Sequence, residues 1–181
     1  MKFILGKKLG MSQIFSENGK VVPVTVILAK PMNISQIKNQ EKDGYSAVQV
    51  TAGKSKKEYR GQTEEIKLGD LVDVSVFGVG DLVKVSGISK GKGFQGAVKR
   101  HGFRGMPASH GHKHVKRHVG SIGQRFPQHT LKGLRMAGRM GADRVSVRGL
   151  SVVSIDKENN LLAVKGAVPG RKGVLLEVRG N

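Results

Sequence analysis

The chain has no cysteine, which rules out disulfides, thiolate metal sites and thiol nucleophiles and fits a reducing compartment. No apolar run approaches the length of a membrane span. The start, Met1-Lys2-Phe3-Ile4-Leu5, offers three apolar residues before Gly6-Lys7-Lys8, too few for the core of an export signal. The expectation is a cytoplasmic chain with no membrane partner. A third absence is local: between Asp81 and Asp143, sixty-one residues pass without one Asp or Glu.

That acid-free interval is crowded with cations. It holds thirteen Lys or Arg and all six histidines of the chain. Residues 1–81 carry a net charge of +3, residues 82–142 carry +13 and residues 143–181 carry +3, so a third of the chain supplies most of the formal +19. A generally basic, soluble protein would spread its excess. Charge concentrated in this way opposes compaction unless a polyanion neutralises it. With 181 residues the prior is one domain or one and a half. If the middle segment leaves the core, the rest is still long enough to bury an apolar interior.

The outer thirds read as strands. Val21 to Ala29 is rich in Val and Ile but holds Pro23, which predicts an edge or bulged strand. Tyr45 to Val50 alternates with period two, as do Val72, Val74 and Val76. Val152–Ile155 and Leu161–Val164 flank Asp156-Lys157-Glu158-Asn159-Asn160, whose Asp and Asn residues tolerate turn geometry, so this is a predicted hairpin. Val174 to Val178 supplies a last strand. Many short β-branched segments without a long helical period predict a mainly β fold, a barrel or a sandwich.

Near Gly87 the chain changes character. Twelve glycines fall between Gly87 and Gly141, and large apolar residues become scarce and lose any period. Such a segment buries too little apolar surface to offset its ordering entropy, so the expectation is that it orders on its partner, with a short helical turn around Gln95 to Arg100. Its glycines suit close backbone approach to a nucleic acid.

Several strings in this segment resemble enzyme motifs. Gly91-Lys92-Gly93-Phe94-Gln95-Gly96 has dinucleotide-binding spacing, but no acidic residue follows for forty-seven positions, so the ribose-binding carboxylate expected about twenty residues on is missing. Gly87 to Lys92 has one residue too few for a phosphate loop, and Gly93 stands where Ser or Thr should meet magnesium. A flexible turn with amides and lysines near phosphate accounts for both. His110, His112, His114 and His118 alternate as zinc or copper ligands can. No carboxylate lies nearby in sequence to orient the imidazoles, and Lys113, Lys116 and Arg117 would repel a divalent ion. Stacking on bases or hydrogen bonding to RNA is the favoured role. Ser109 beside His110 likewise lacks an orienting acid for a triad. A nucleotide- or metal-dependent enzyme built on this segment is the alternative reading. No cofactor is implied.

RNA is the favoured nucleic acid. A DNA reader would show a recognition helix, a zinc finger or a basic zipper, and none is present. Scattered Gly, His, Arg and Phe suit a structured RNA contacted by extended chain.

Phe77, Gly87, Ser89, Gly91-Lys92-Gly93, Gly96 and Arg100 fall on the signature spacing of the large-subunit ribosomal protein L3 family. The opening Leu5-Gly6-Lys7-Lys8-Leu9-Gly10-Met11-Ser12-Gln13-Ile14-Phe15 resembles the way members begin. Ser109-His110-Gly111, Gly120-Ser121-Ile122-Gly123, Lys132-Gly133, Met136-Ala137-Gly138, Met140-Gly141 and Val164-Lys165-Gly166-Ala167-Val168-Pro169-Gly170 follow in family order. Each string alone is weak, but the ordered set is specific.

The resemblance implies a translation-protein-type β-barrel with a long, basic, largely irregular central extension. Residues 1–93 and 143–181 would build the barrel, and residues 94–142 would be the extension. It implies a structural, assembly-nucleating protein of the cytoplasmic ribosome, bound to 23S-type rRNA near its 3′ end and reaching toward the peptidyl transferase centre. Neighbouring large-subunit proteins are implied partners, whereas DNA and a second copy of the chain are not. Under this reading Lys90, Lys92, Lys99, Arg100, Arg104, Lys113, Lys116, Arg117, Arg125, Lys132, Arg135 and Arg139 would neutralise phosphates. His101, His110, His112, His114 and His118 would stack or hydrogen-bond, Gly111 would allow close approach, and no residue would be catalytic. Three departures stand out. Lys84 occupies a position where the signature expects Asp or Asn, Met106 replaces a glutamine that some members methylate, and the stretch between Gly53 and Leu71 is abbreviated.

Overall fold

The structure is a computed structural model that describes residues 2–61 and 66–180. The chain forms two compact units, Met1–Ser89 with Arg144–Asn181 and Lys90–Asp143. In chain order the strands are β1 (Phe3–Phe15), β2 (Val21–Leu28), β3 (Met32–Lys38), β4 (Ala47–Ala52), β5 (Ser55–Arg60), β6 (Leu71–Val72), β7 (Leu82–Ile88), β8 (Phe94–Gln95), β9 (Gly138–Arg139), β10 (Arg144–Asp156), β11 (Leu161–Lys165) and β12 (Leu175–Gly180). Two short helices, α1 (Gln40–Asp43) and α2 (Ala97–His101), complete the list with a 3₁₀ turn at Val74–Val76.

The first unit is mainly β, as its alternating Val and Ile demand. β1, β12, β7, β10, β11 and β2 close in that order into a barrel, and every neighbouring pair is antiparallel. Alternate side chains point inward, so Val83 and Val85 of β7, Leu162 and Val164 of β11, and Leu176 and Val178 of β12 are fully buried. Burying each such side chain contributes about 1.5–3 kcal/mol. A second sheet, ordered β5-β4-β3-β6, adds Ile34, Val48, Val50 and Val72 to the same core. Where β7 meets β12 the Leu176 side chain fills the space beside Gly87: a Cβ there would lie 2.6 Å from Leu176 Cδ2.

Two local predictions meet corrections. β2 is an interior strand of the closed barrel rather than an edge. Pro23 is tolerated because its carbonyl, which accepts from Gly166 N–H at 2.8 Å, faces the β11 side, while the β11 ladder reaches only to Val24. The missing N–H therefore costs no ladder bond. The alternation of Val72, Val74 and Val76 is not one strand: β6 ends at Val72, and the Asp73 carboxylate accepts from Ser75 N–H and caps the 3₁₀ turn. A short polar side chain bonding to its own backbone competes with the ladder. The expected hairpin after β10 is present. Asp156 accepts from the Asn159 backbone and side-chain amides at 3.0 and 2.8 Å, which hold its carboxyl below the usual range, and Asn160 takes φ 55°.

Candidate nucleic-acid interface

The second unit starts from a sequence with almost nothing to bury. Ala97, on α2, is its one buried side chain. Order comes instead from hydrogen bonds along its base. β8 pairs with β9 through Phe94↔Arg139 and Gln95↔Gly138. The pairing is extended by Lys92 N–H to Met140 O at 2.9 Å and Met140 N–H to Gly93 O at 3.0 Å. Gly141 makes this approach possible: its φ is +78°, and a Cβ there would sit 2.2 Å from Lys90 O. Helix α2 stops at Gly102, which takes the left-handed conformation that ends helices.

From Gly102 to Ala137 there is neither helix nor strand. One cross-chain bond, Met106 N–H to Lys116 O at 3.1 Å, folds this stretch back on itself around the histidines. Gly105 lies at that crossing with φ +78°, where a Cβ would be 2.3 Å from Lys116 O. Smaller turns follow: the Ser121 hydroxyl donates to Gly123 O at 2.9 Å, and His129 Nδ1 lies 3.0 Å from Pro127 O.

The seventeen charged, histidine or glycine positions predicted to contact RNA other than His101 are all exposed. Lys90 and Lys92 leave the paired base, and Lys99 and Arg100 share the last turn of α2. Arg104, His110, Gly111, His112, Lys113, His114, Lys116, Arg117 and His118 come from the folded-back stretch, and Arg125, Lys132, Arg135 and Arg139 from the return. Two residues also work internally. Arg100 Nη1 donates to Met136 O at 2.7 Å, and His101 Nε2 lies 3.0 Å from the same carbonyl, so both clasp the outgoing chain to the returning one. His110 and His114 have φ 59° and 55°, conformations uncommon outside glycine.

Sequence reasoning counted the phenylalanines of this unit only as a residue type and singled out none of its exposed apolar side chains. Phe94 is 77% and Phe126 65% exposed, and Ile122 and Leu131 are exposed beside them in sequence order. Arg125 lies over the Phe126 ring, 5.8 Å from its centroid. The available signal was apolar residues with no periodic partner in a Gly/Lys/Arg background. Carboxylates other than Asp143, by contrast, belong to the barrel unit, where Lys2–Asp81, Lys38–Glu58, Lys57–Glu177 and Arg144–Glu177 pair. Among the described residues no group of three or more His, Cys, Asp or Glu is placed to hold a metal ion.

The arrangement can do one kind of chemistry well: present cations, imidazoles and bare aromatic faces to a large anion. The family model for "Ribosomal protein L3" matches residues 11–160 of this sequence. The chain belongs to the ribosomal protein L3 family. The large ribosomal subunit protein uL3 of Chloroherpeton thalassium is 46% identical over 98% of this chain and 98% of its own length. The uL3 proteins of Finegoldia magna and Bacillus thuringiensis are 44% and 42% identical, each over 99% of this chain and 97% and 96% of their own lengths. The family is one of ribosomal proteins and not of enzymes, which sets aside the nucleotide- or metal-dependent alternative. The alignment with the Chloroherpeton protein runs over 204 positions against 181 residues here, so that relative has residues with no counterpart in this chain. Part of the stretch expected to be abbreviated, residues 62–65, lies outside the described residues; the described part holds β5 and the turn at Gly69 before β6.

Proposed function

We propose that this protein is a structural constituent of the large ribosomal subunit in the cytoplasm, that its Lys90–Asp143 unit binds 23S-type rRNA near the 3′ end, and that this contact helps nucleate subunit assembly. The observation that carries the reading is that residues 90–142 hold twelve Lys or Arg and no carboxylate, on a stretch with a single buried side chain. Its cations neutralise backbone phosphates and release counterions, Phe94 and Phe126 stack on unpaired bases, and the folded-back stretch around His110 to His118 reaches deepest, toward the peptidyl transferase centre. Membership of the ribosomal protein L3 family and the names of the uL3 relatives support the same reading. Neighbouring large-subunit proteins are the further partners.

The test is affinity for the 3′ portion of large-subunit rRNA against a scrambled RNA of equal length across a salt titration. A native RNA that keeps a large advantage at high salt supports shape recognition. Parallel decline of both RNAs would reduce the chain to a simple polycation and overturn the proposed target.

A further inference from the structure

On the outside of the barrel, strand register brings like charges together. Val83 and Val85 point into the core, so Lys84 between them points outward. On one side its direct cross-strand neighbour is Arg179 of β12. On the other side β10 bulges by one residue between Val147 and Leu150, so that two residues, Arg148 and Gly149, stand opposite Lys84. Gly149 takes φ +71° to make that bulge. Lys84, Arg148 and Arg179 thus lie abreast on three adjacent strands and line one open groove of about 400 Å³ with Tyr59, Gly180 and Lys2. Like charges directly opposite destabilise a sheet.

The barrel relieves this only in part: Glu58 and Glu177 line the adjoining groove with Lys84 and Arg179 but are themselves paired with Lys38, Lys57 and Arg144. Neither Lys84 nor Arg148 has a carboxylate partner among the described residues. Arg179 lies over the Tyr59 ring, 4.6 Å from its centroid, and Lys2 at the rim is paired with Asp81 at 2.8 Å. We propose that Lys84, Arg148 and Arg179 form a second RNA-backbone site on the barrel, distinct from the Lys90–Asp143 unit and taking a phosphodiester in the groove.

RNA is favoured over an acidic protein segment for two reasons. Strands β7, β10 and β12 are each paired on both sides, and the open edge beside the groove, β5, carries Lys56, Lys57 and Arg60, which disfavour addition of a peptide strand. The groove also offers no apolar pocket for anchoring side chains beyond the already covered Tyr59 ring. Forked guanidiniums flanking an ammonium are what a phosphodiester requires.

The proposal rests on the rRNA-binding reading, and the test separates the two. Lysine acetylation is followed by mass spectrometry on the full chain, free and bound to the 3′ rRNA fragment, with Lys20 and Lys157 as exposed references. Lys84 loses most of its reactivity on binding, together with Lys113 and Lys116. Inorganic phosphate at equal phosphate concentration leaves Lys84 reactive. The double variant Lys84→Asp, Arg148→Ala lowers the log–log salt slope of RNA binding by about 1.5, and Lys84→Asp alone raises the thermal midpoint of the free protein, which shows that it folds. If Lys84 stays reactive while Lys113 and Lys116 are protected, the barrel site is wrong and the central contact stands. If all three stay reactive, both fail. Protection by phosphate alone, or only after a neighbouring ribosomal protein is added, would reassign the groove to a free anion or to a protein and overturn the proposal.

Discussion

The two units of this chain solve opposite problems. The barrel unit holds all the buried apolar side chains except Ala97 and nearly all the carboxylates, and it would be recognisable as a folded protein by itself. The Lys90–Asp143 unit has twelve Lys or Arg against the single carboxylate of Asp143, a hydrogen-bonded base and apolar side chains facing solvent. One is organised by excluding water, the other by what it will meet. Order in a chain therefore need not come from a core. Glycine-enabled backbone contacts such as Gly141 against Lys90 can pre-shape a segment whose full stabilisation waits for a polyanion.

Deleting one unit has the largest expected effect. Replacing residues 94–142 by a short Gly/Ser linker should lower affinity for the 3′ rRNA fragment by about a hundredfold or more, while circular dichroism still reports a cooperative β unfolding. Retained affinity would sink the clamp. The converse change, Leu176→Ala in the barrel core, should cost about 2–5 kcal/mol in denaturant unfolding and leave the salt slope of the folded protein unchanged. An altered slope would mean that the units are not separable in this way.

Smaller changes test the central unit from within. Gly105→Ala adds a Cβ into Lys116 O at a positive φ, a strain of about 1–3 kcal/mol. Hydrogen exchange at Met106 should accelerate and RNA affinity should fall severalfold, with the barrel midpoint unmoved. Lys113→Ala and Lys116→Ala should each reduce the salt slope by about 0.7–0.9; an unchanged slope would remove that lysine from the contact. Acid provides the mildest contrast. Hydrogen bonds from Gly78 N–H and then Lys2 hold the Asp81 carboxyl below its usual range, and Asn159 does the same for Asp156. Depressed carboxylates stabilise the fold at neutral pH, and that contribution is lost as pH falls through their folded-state values, below about 4. The thermal midpoint should drop there through the barrel alone, because residues 82–142 have no carboxylate to titrate. A midpoint flat to pH 3 would contradict these pairings.

Legibility followed the same division. Alternation exposed β4, β11 and most of β12, and Asp156 with Asn160 marked the hairpin, because those signals are local. β1 escaped notice although it is thirteen residues long: Gly6, Lys7, Lys8 and Gly10 interrupt its apolar pattern. Gly6 is there because a Cβ would lie 2.4 Å from Ile27 Cγ2 on the adjacent strand, a constraint visible only once the sheet is assembled. Barrel closure itself joins β1 to β12 across the whole chain, and no local period encodes that. In the candidate interface the cations were plain from composition. The internal clasp of Arg100 and His101 on Met136 O was not, since the carbonyl lies thirty-five or more residues away in sequence. The trio around Lys84 depended on register and a bulge, which sequence does not display.

The second sheet ends on one side in β6, only two residues long, and on the other in β5, whose Ser-Lys-Lys-Glu-Tyr-Arg run places charge along the open edge. Short and charged edges resist pairing with other chains. Newly made protein awaiting its RNA is therefore guarded against amyloid-like stacking. The association hazard that remains is the acid-free basic interval, whose attraction to any polyanion weakens as ionic strength rises.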